Sequence, residues 1–524
     1  MFNSLSKETK FRIYLFLLAG VSLVFILLTT SKYGAGVSSD AARNLSTADS
    51  LLAGKGFVDM IGAPFILWPP LYPLVLAGLS LLAKWNTFQA AWYLNVVLYA
   101  VNIWLSGWLL YLIFEEKRIY AVAGALVILL SRSTLRIYAN VASEPLFATM
   151  MLVFFIAAAR FLRDGSGSAL WLMFLMAGLA TLQRYLGVVL IGVGGLVPLF
   201  KYGWRGIWQA IFPILVSILP VGVWAIFHNY PVSGTLFGPR DLGAMLPLEN
   251  ISLSLTKILW WFIPRISFLD PLLLKPWIIV ITFALLLILI NKKTDWFNWM
   301  NALKNEYVWP ALIFSVIYYF LLAFTVVTAD HLDLTSDRYY VVILPVVLAL
   351  FFITFDKLVL SHINLKNRIV SYGLVCVVIL WFVYPVYSLQ SYVRQALVQG
   401  EPTNYNIANS AQFREMSVVK AAQPILDKDT SALVYTNYIN IVWFIYRHPV
   451  ETLPYEDATL SRDQRLAALK TNYPVWPKHD GYIIWFTPNQ YHHIVAPDEL
   501  STIANLKLLY KDKTGEIYYV QAVK

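Results

Sequence analysis

Residues 37–73 read VSSDAARNLSTADSLLAGKGFVDMIGAPFILWPPLYP and directly follow the first long apolar run of the chain. A carboxylate, Asp40, stands at the start of a run with helical spacing. This run closes at Gly54-Lys55-Gly56, and an aromatic and proline-rich segment follows at residues 68–73. The stretch is polar, whereas most of the chain around it is apolar. Its role therefore depends on what the apolar segments form.

The composition is that of a membrane protein. Of 524 residues, 59% are hydrophobic and 13% are charged, about half the charged fraction of a typical soluble protein. Several apolar runs are long enough to span a bilayer, which predicts a polytopic α-helical membrane protein. The only cysteine is Cys376, so no disulfide can form within the chain.

The net charge of +10 is unevenly distributed. From Ser391 onward lie 13 of the 40 Lys and Arg residues and 13 of the 30 Asp and Glu residues. The whole basic excess therefore belongs to the membrane part, where basic residues set the orientation of the spans. We therefore expect membrane lipids, and no nucleic acid, as partners.

The topology depends on one short apolar segment, residues 71–83, which is marginal for a span and favours an interfacial or re-entrant helix. Basic residues before the run 13–28 predict an uncleaved first span that starts in the cytoplasm. If 71–83 does not cross, the later basic clusters fall largely inside and about eleven spans result; if it crosses, every later loop is inverted. The predicted spans are 13–28, 88–114, 120–130, 145–162, 170–182, 187–200, 207–227, 272–290, 308–327, 339–355 and 369–387.

From residue 391 the charges become dense and mixed, which predicts a second domain. We divide the chain into a membrane domain at 1–390, with its first outer loop at 31–87, and a small extracytoplasmic α/β domain at 391–524. The α/β domain is expected to contain helices at 412–422, 440–446 and 461–469, strands at 431–438, 450–454 and 481–488, and a hairpin that turns at 512–515.

Asp40, Glu144, Asp330, Asp333 and Asp337 fall on the predicted outer face, and the first two each have two interpretations. Asp40 follows two serines at a helix start, where Asp serves as a helix cap or as a catalytic carboxylate. Glu144 precedes Pro145 at the start of a predicted span, where a carboxylate also caps the helix or balances its dipole. For both residues the two interpretations stay open.

Two arginines, Arg184 and Arg338, lie at the predicted outer ends of spans. They are either anchors at the membrane surface, beside tyrosines such as Tyr339, or bidentate ligands of a phosphate group. The sequence has no Gly-Lys-Ser/Thr phosphate loop and no cysteine pair for zinc, which argues against an ATP-driven pump and a zinc site. Asp330 and Asp333 could hold a divalent cation, but we favour a solvated loop, and no cofactor is assigned with certainty.

Several short motifs occur in a recognisable order. They are Asp40, then A-x-x-L-x-x-G-x-G-F from Ala48 to Phe57, PPLYP at 69–73, SEPL at 143–146, QRY at 183–185, and DRYY at 337–340 followed by Pro345. In this order they resemble the GT-C superfamily of membrane glycosyltransferases, which contains protein O-mannosyltransferases and lipid A aminoarabinose transferases. The resemblance covers most of the membrane part.

The resemblance implies a sugar donor carried on a polyprenyl phosphate and an inverting transfer. Asp40 would be the catalytic base and Glu144 the second acidic position, while the donor phosphate would be bound by Arg184, Arg338 and Tyr339. A substrate loop would contain Trp68, Pro70, Tyr72 and His331.

The function that we expect is a glycosyltransferase of the cytoplasmic (inner) membrane that acts on the outer face in cell-envelope synthesis or protein glycosylation, with mannosyl transfer as one example. Its acceptor would be a lipid, a polysaccharide or a protein. Two alternatives are a transporter or flippase of lipid-linked sugars and a non-catalytic scaffold of envelope assembly. A transporter would place its polar residues near the middle of the membrane, whereas these collect at one predicted surface.

Overall fold

A computed structural model of the chain describes residues 6–114, 117–239, 248–263, 276–327, 336–400, 408–457, 459–489, 491 and 493–523. Six helices in these ranges are long and apolar enough to cross a membrane, or seven if one bent pair counts as a single span. The protein is thus a multi-pass membrane protein, as its composition predicted. The expected number of eleven spans is not confirmed, because several of the predicted spans are helices of fewer than 18 residues.

Most of the apolar helices begin and end close to the predicted boundaries, but the last one ends twelve residues after its predicted end at 387, and the predicted span 339–355 is broken into two helices, Arg338–Val341 and Leu344–Thr354. Their bounds are Lys7–Thr29, Leu71–Ala83, Thr87–Ile113, Arg118–Leu130, Glu144–Asp164, Gly167–Gln183, Val188–Tyr202, Ile207–Trp224, Pro276–Ile290, Trp309–Val327, Leu344–Thr354 and Arg368–Gln399. The segment 71–83 is a separate helix of thirteen residues. That it does not cross the membrane stays a prediction.

Three described helices of seven or more residues lie where the sequence predicted loops or no element. Arg132–Tyr138 occupies part of the predicted loop 131–144, where Ser131 caps it by accepting a hydrogen bond from the Thr134 amide. This helix is bent by 60° from Arg118–Leu130. The other two are Leu248–Leu259 and Lys293–Leu303.

By packing, the chain divides into two compact units. The first consists of residues 1–28, 66–72 and 93–394, and the second of residues 29–65, 73–92 and 395–524. Residues 29–65, which contain Asp40, therefore pack with the C-terminal residues. The predicted boundary between functional domains at residue 390 stays a prediction.

The core of the first unit is built on the helices Glu144–Asp164 and Gly167–Gln183. Phenylalanines of the first helix, including Phe147 and Phe154, are fully buried, and alanines on both helices let the backbones approach closely. On the second helix, Gly178 lies against the backbone of Ser217, where a side chain would be tightly packed. This close packing brings the ends of several helices together.

The second unit contains a five-stranded mixed sheet. Its strands are β1 (Leu433–Thr436), β2 (Val450–Thr452), β3 (Gly481–Phe486), β4 (Leu506–Asp512) and β5 (Gly515–Val520), in the order β2-β1-β3-β5-β4. β1 is parallel to β2 and β3, whereas β5 is antiparallel to β3 and β4. The predicted strands and the hairpin are present.

The helices of the second unit also follow the sequence pattern, with one break. Ile439–Tyr446 and Arg462–Asn472 match two predicted helices, and Ser461 forms a capping box with Gln464 at the start of the latter. The predicted helix 412–422 is two helices, Ala411–Arg414 and Ser417–Leu426.

Candidate functional site

The carboxylate of Glu144 lies between two arginines in the first unit. Its Oε1 is 2.8 Å from Nη1 of Arg184 and 3.9 Å from Nε of Arg338. Glu144 is buried at the first turn of the helix Glu144–Asp164, where a negative charge also interacts favourably with the helix dipole. Three of the residues that the sequence singled out are therefore in contact, although they are far apart along the chain.

Arg184 reaches Glu144 because the chain breaks between two helices at this point. Arg184 has an extended backbone after the helix Gly167–Gln183, and a single 3₁₀ turn follows it. The break is tight because Gly187 lies directly against the backbone of Ala180, where no side chain fits. Arg184 also donates a hydrogen bond of 2.9 Å from Nη1 to the hydroxyl of Ser143.

Tyr339 holds the second arginine in place. Arg338 donates a hydrogen bond of 2.7 Å from Nη2 to the Tyr339 hydroxyl, and its guanidinium lies 4.8 Å from the centre of that ring. The guanidinium of Arg184 lies 5.9 Å from the same ring centre. The backbone carbonyl of Tyr339 accepts a hydrogen bond of 3.2 Å from the hydroxyl of Tyr318. Both guanidiniums therefore contact one buried tyrosine, whose own backbone is anchored by a second.

Among the residues that the structure describes, the cluster joins one carboxylate to two guanidiniums. Glu144 supplies one negative charge to two guanidiniums, and the Arg184 and Arg338 side chains keep 19% and 36% of their surface exposed, against 6% for Glu144. The cluster can therefore bind an anion at the exposed parts of the arginines while Glu144 holds them from the buried side. Guanidiniums arranged in this way are suited to phosphate oxygens.

Asp337, the first residue of the DRYY motif, pairs with residues that the sequence did not single out. Its carboxylate forms an ion pair with Arg136 and accepts a hydrogen bond of 2.7 Å from the hydroxyl of Ser133. Both partners lie on the helix Arg132–Tyr138, which the sequence analysis missed. Basic residues usually lie in the cytoplasmic loops of membrane proteins, so Arg136, in a loop predicted to lie outside, could have been recognised as an exception.

Tyr72, one of the predicted substrate-loop residues, has a fully buried hydroxyl. Within the described part of the chain this hydroxyl has no hydrogen-bond partner. Of the other predicted substrate-loop residues, Pro70 is buried and Trp68 is half-buried, and all three belong to the first unit. His331 lies outside the described residues.

Asp40 belongs to the second unit and is the second residue of the helix Ser39–Leu52. The N-cap of this helix is Ser38, whose side chain accepts a hydrogen bond from the amide of Ala41. Ser38, and not Asp40, therefore caps this helix, so the capping interpretation of Asp40 does not apply. The Asp40 side chain is half-exposed.

Within the ranges that the structure describes, no three His, Cys, Asp or Glu residues lie close enough together to form a metal site. The acidic loop with Asp330 and Asp333 lies outside those ranges. Binding of a divalent cation stays a prediction.

Comparisons with known proteins concern the fold. The sequence matches no protein-family model and no curated protein sequence with which it was compared. The structure is similar to that of ArnT from Cupriavidus metallidurans in the apo state, with a TM-score of 0.57 and 14% identity over 98% of both chains. ArnT bound to undecaprenyl phosphate gives a TM-score of 0.56 and 14% identity over 96% of this chain and 97% of that one.

A third similar structure comes from an archaeon. It is the Archaeoglobus fulgidus oligosaccharyltransferase in complex with zinc and sulfate, with a TM-score of 0.53 and 11% identity over 96% of this chain and 72% of that one. Two different membrane glycosyltransferases thus share the fold along nearly the whole chain. The chain therefore has the fold of the GT-C superfamily of membrane glycosyltransferases, as the sequence resemblance predicted.

Proposed function

We propose that this protein is an integral-membrane glycosyltransferase that transfers a hexosyl or pentosyl group from a polyprenyl-phosphate donor. Its acceptor is a lipid, a polysaccharide or a protein on the outer face of the cytoplasmic membrane. The observation that carries the proposal is the cluster of Glu144, Arg184 and Arg338 in a chain with the GT-C fold. The structure of ArnT bound to undecaprenyl phosphate supports the class of donor.

The two arginines carry the leaving-group chemistry in this proposal. As the sugar leaves, the lipid phosphate gains negative charge, and the positive charges of Arg184 and Arg338 stabilise it more strongly than they stabilise the intact donor. Because both guanidiniums are already held by Glu144 and Tyr339, they need little reorganisation during the reaction. A phosphate is a good leaving group, so the reaction does not need a strong general acid.

Glu144 acts through the arginines in this scheme. Its buried carboxylate pairs with both of them, so its contribution to catalysis is to fix their geometry. The buried hydroxyl of Tyr72, which has no hydrogen-bond partner in the described part of the chain, supplies one further hydrogen-bond donor to an oxygen atom of the bound sugar donor.

Asp40 is the proposed general base. It takes the proton of the acceptor hydroxyl while the acceptor oxygen bonds to the anomeric carbon and the bond from that carbon to the phosphate oxygen breaks. Attack opposite to the leaving phosphate inverts the anomeric configuration. Two guanidiniums already neutralise the phosphate, so the scheme assigns no step to a divalent cation, which remains a candidate cofactor.

The test is a transfer assay with purified protein, radiolabelled undecaprenyl-phosphate sugars and a membrane extract as the source of acceptor. Asp40→Asn is compared with wild type and with Asp498→Asn, which changes an acidic residue with 64% of its side chain exposed. We expect Asp40→Asn to lower transfer by about 100-fold or more, the usual contribution of a general base. The Asp498→Asn control should retain wild-type activity.

Two results would argue against the proposal. Equal transfer by wild type and Asp40→Asn would exclude the role of Asp40 as a base. The absence of transfer by any variant, together with movement of labelled lipid across vesicles, would favour a transporter. A topology reporter fused after Gln390 tests the orientation, since a cytoplasmic signal there would contradict an outer location of the C-terminal region.

A further inference from the structure

The segment that precedes the Asp40 helix is held by a buried side chain of the C-terminal region. Asn409 donates hydrogen bonds from Nδ2 to the carbonyls of Tyr33 and Ala35, the latter at 3.1 Å. Its own Oδ1 accepts a hydrogen bond of 3.1 Å from Nε of Arg414. Asn409 is 1% exposed, so water cannot readily replace these bonds.

Charged and backbone groups strengthen the same attachment. The carboxylate of Glu415 accepts hydrogen bonds from the Tyr33 hydroxyl at 2.6 Å and from Nζ of Lys32 at 2.9 Å. The amide of Ala408 donates a hydrogen bond of 2.9 Å to the carbonyl of Val37, two residues before the start of the Asp40 helix. The C-terminal region thus holds the chain from residue 32 up to that helix.

The other end of the helix Ser39–Leu52 is attached as well. Asp49 accepts a hydrogen bond of 2.7 Å from the hydroxyl of Thr87 and pairs with Nη1 of Arg447 at 3.0 Å. Arg447 ends the helix Ile439–Tyr446 in the left-handed conformation, and its guanidinium lies 4.3 Å from the centre of the Trp443 ring. The pair is 38% and 41% exposed, so solvent weakens it and the stacking on Trp443 helps to fix its geometry.

Phe88 connects the two attachments. Its ring meets that of Phe444 edge to face with 5.1 Å between centres, and it also lies against Gly34. A Cβ at Gly34 would come within 2.8 Å of the Phe88 ring, and the φ angle of +83° there also favours glycine. All of these residues belong to the second unit.

We propose that Asn409 and Arg447 of the C-terminal region are positioning residues that hold the two ends of the segment carrying Asp40. The inference rests on the proposed function, in which Asp40 is the base. A base must stay within about 0.5 Å of its productive position, and a segment fixed at both ends retains less conformational freedom than one fixed at a single end. The C-terminal region therefore contributes to the reaction through the placement of Asp40.

The test measures hydrogen–deuterium exchange and transfer kinetics on the full-length protein. Asn409→Asp keeps the shape of the side chain but replaces its two N–H donors with an oxygen that faces two carbonyls. We expect faster exchange of the amides in residues 39–52 and a fall in kcat of at least tenfold, with the KM for the donor unchanged. Arg462→Gln is the matched control, because it breaks an exposed ion pair of the same region without altering either attachment.

Arg447→Gln serves as the second variant if Asn409→Asp fails to fold, because the exposed pair with Asp49 can be lost without burying a charge. It should increase exchange over residues 39–52 and lower kcat by about twofold to tenfold. Unchanged exchange there in both variants, or an equal increase in Arg462→Gln, would overturn the proposal. Failure of the proposed function is distinguishable, because it would appear as full activity of Asp40→Asn regardless of the exchange data.

Discussion

Arg184→Gln tests the arginine cluster most directly. The substitution removes the guanidinium that lies 2.8 Å from Glu144 and leaves Arg338, at 3.9 Å, as the described residue that neutralises that carboxylate. Removal of one partner from a buried ion pair costs about 3–5 kcal/mol. Because Arg338 remains, we expect a loss near the lower end, about 3 kcal/mol.

The same substitution should slow the reaction for a separate reason. Loss of one preorganised donor to a developing negative charge typically lowers kcat by about 100-fold to 1000-fold. We expect about 100-fold for Arg184→Gln, because Arg338 still contacts the phosphate in the proposed scheme. The assays are transfer from a radiolabelled polyprenyl-phosphate sugar and thermal unfolding of the purified protein in detergent.

A double variant separates the two effects. Glu144→Gln combined with Arg184→Gln also removes the buried carboxylate that has lost its nearer guanidinium, so most of the lost stability should return while the activity stays low. Arg160→Gln, an exposed arginine on the same helix as Glu144, is the control and should change neither property. If the double variant is as unstable as Arg184→Gln, the pairing argument is wrong. If Arg184→Gln keeps kcat within threefold of wild type, the phosphate role is wrong.

Three further predictions concern single groups. Tyr72→Phe removes a buried hydroxyl that has no hydrogen-bond partner in the described residues, so the stability of the protein should be unchanged or higher, while the KM for the sugar donor should rise. A higher KM together with an unchanged or higher Tm would support a role of this hydroxyl in binding the sugar donor. Gly34→Ala forces a side chain against Phe88 at a positive φ angle, so protease cleavage within residues 29–52 should become faster, and wild-type resistance would contradict the contact. Hydrogen bonds from Tyr33 and then Lys32 lower the pKa of Glu415, so this attachment is present above the ordinary value of 4.5 and is lost as the pH falls through the lowered pKa. Limited proteolysis from pH 6 to pH 3 should show that loss in wild type, and Glu415→Gln should show no such step.

Local patterns predicted much of the fold. The helix Leu71–Ala83 has the predicted bounds, and the strands and hairpin of the C-terminal region lie where alternation and turn residues indicated them. These features depend on neighbours within a few residues, which a single sequence displays directly. The helix Arg132–Tyr138 escaped prediction because it is short and follows a sharp bend after another apolar helix.

The candidate site was predictable as a set of residues but not as a set of contacts. Glu144, Arg184 and Arg338 were selected by residue type at the predicted ends of spans, and the structure shows that they form one ion-paired cluster. The Arg136–Asp337 pair was not anticipated. Which partners meet depends on how each helix is rotated and packed, and no local pattern records that rotation.

The sequence by itself determined that this chain is a multi-pass membrane protein with a C-terminal α/β region, because hydrophobic length and alternation are properties of consecutive residues. Only the tertiary structure decided that Glu144 pairs with Arg184 and Arg338 and that Asn409 holds the segment before the helix of Asp40. Those roles arise from ion pairs and hydrogen bonds between residues that packing brings together. The direction and reach of such bonds exist only once the backbone has folded.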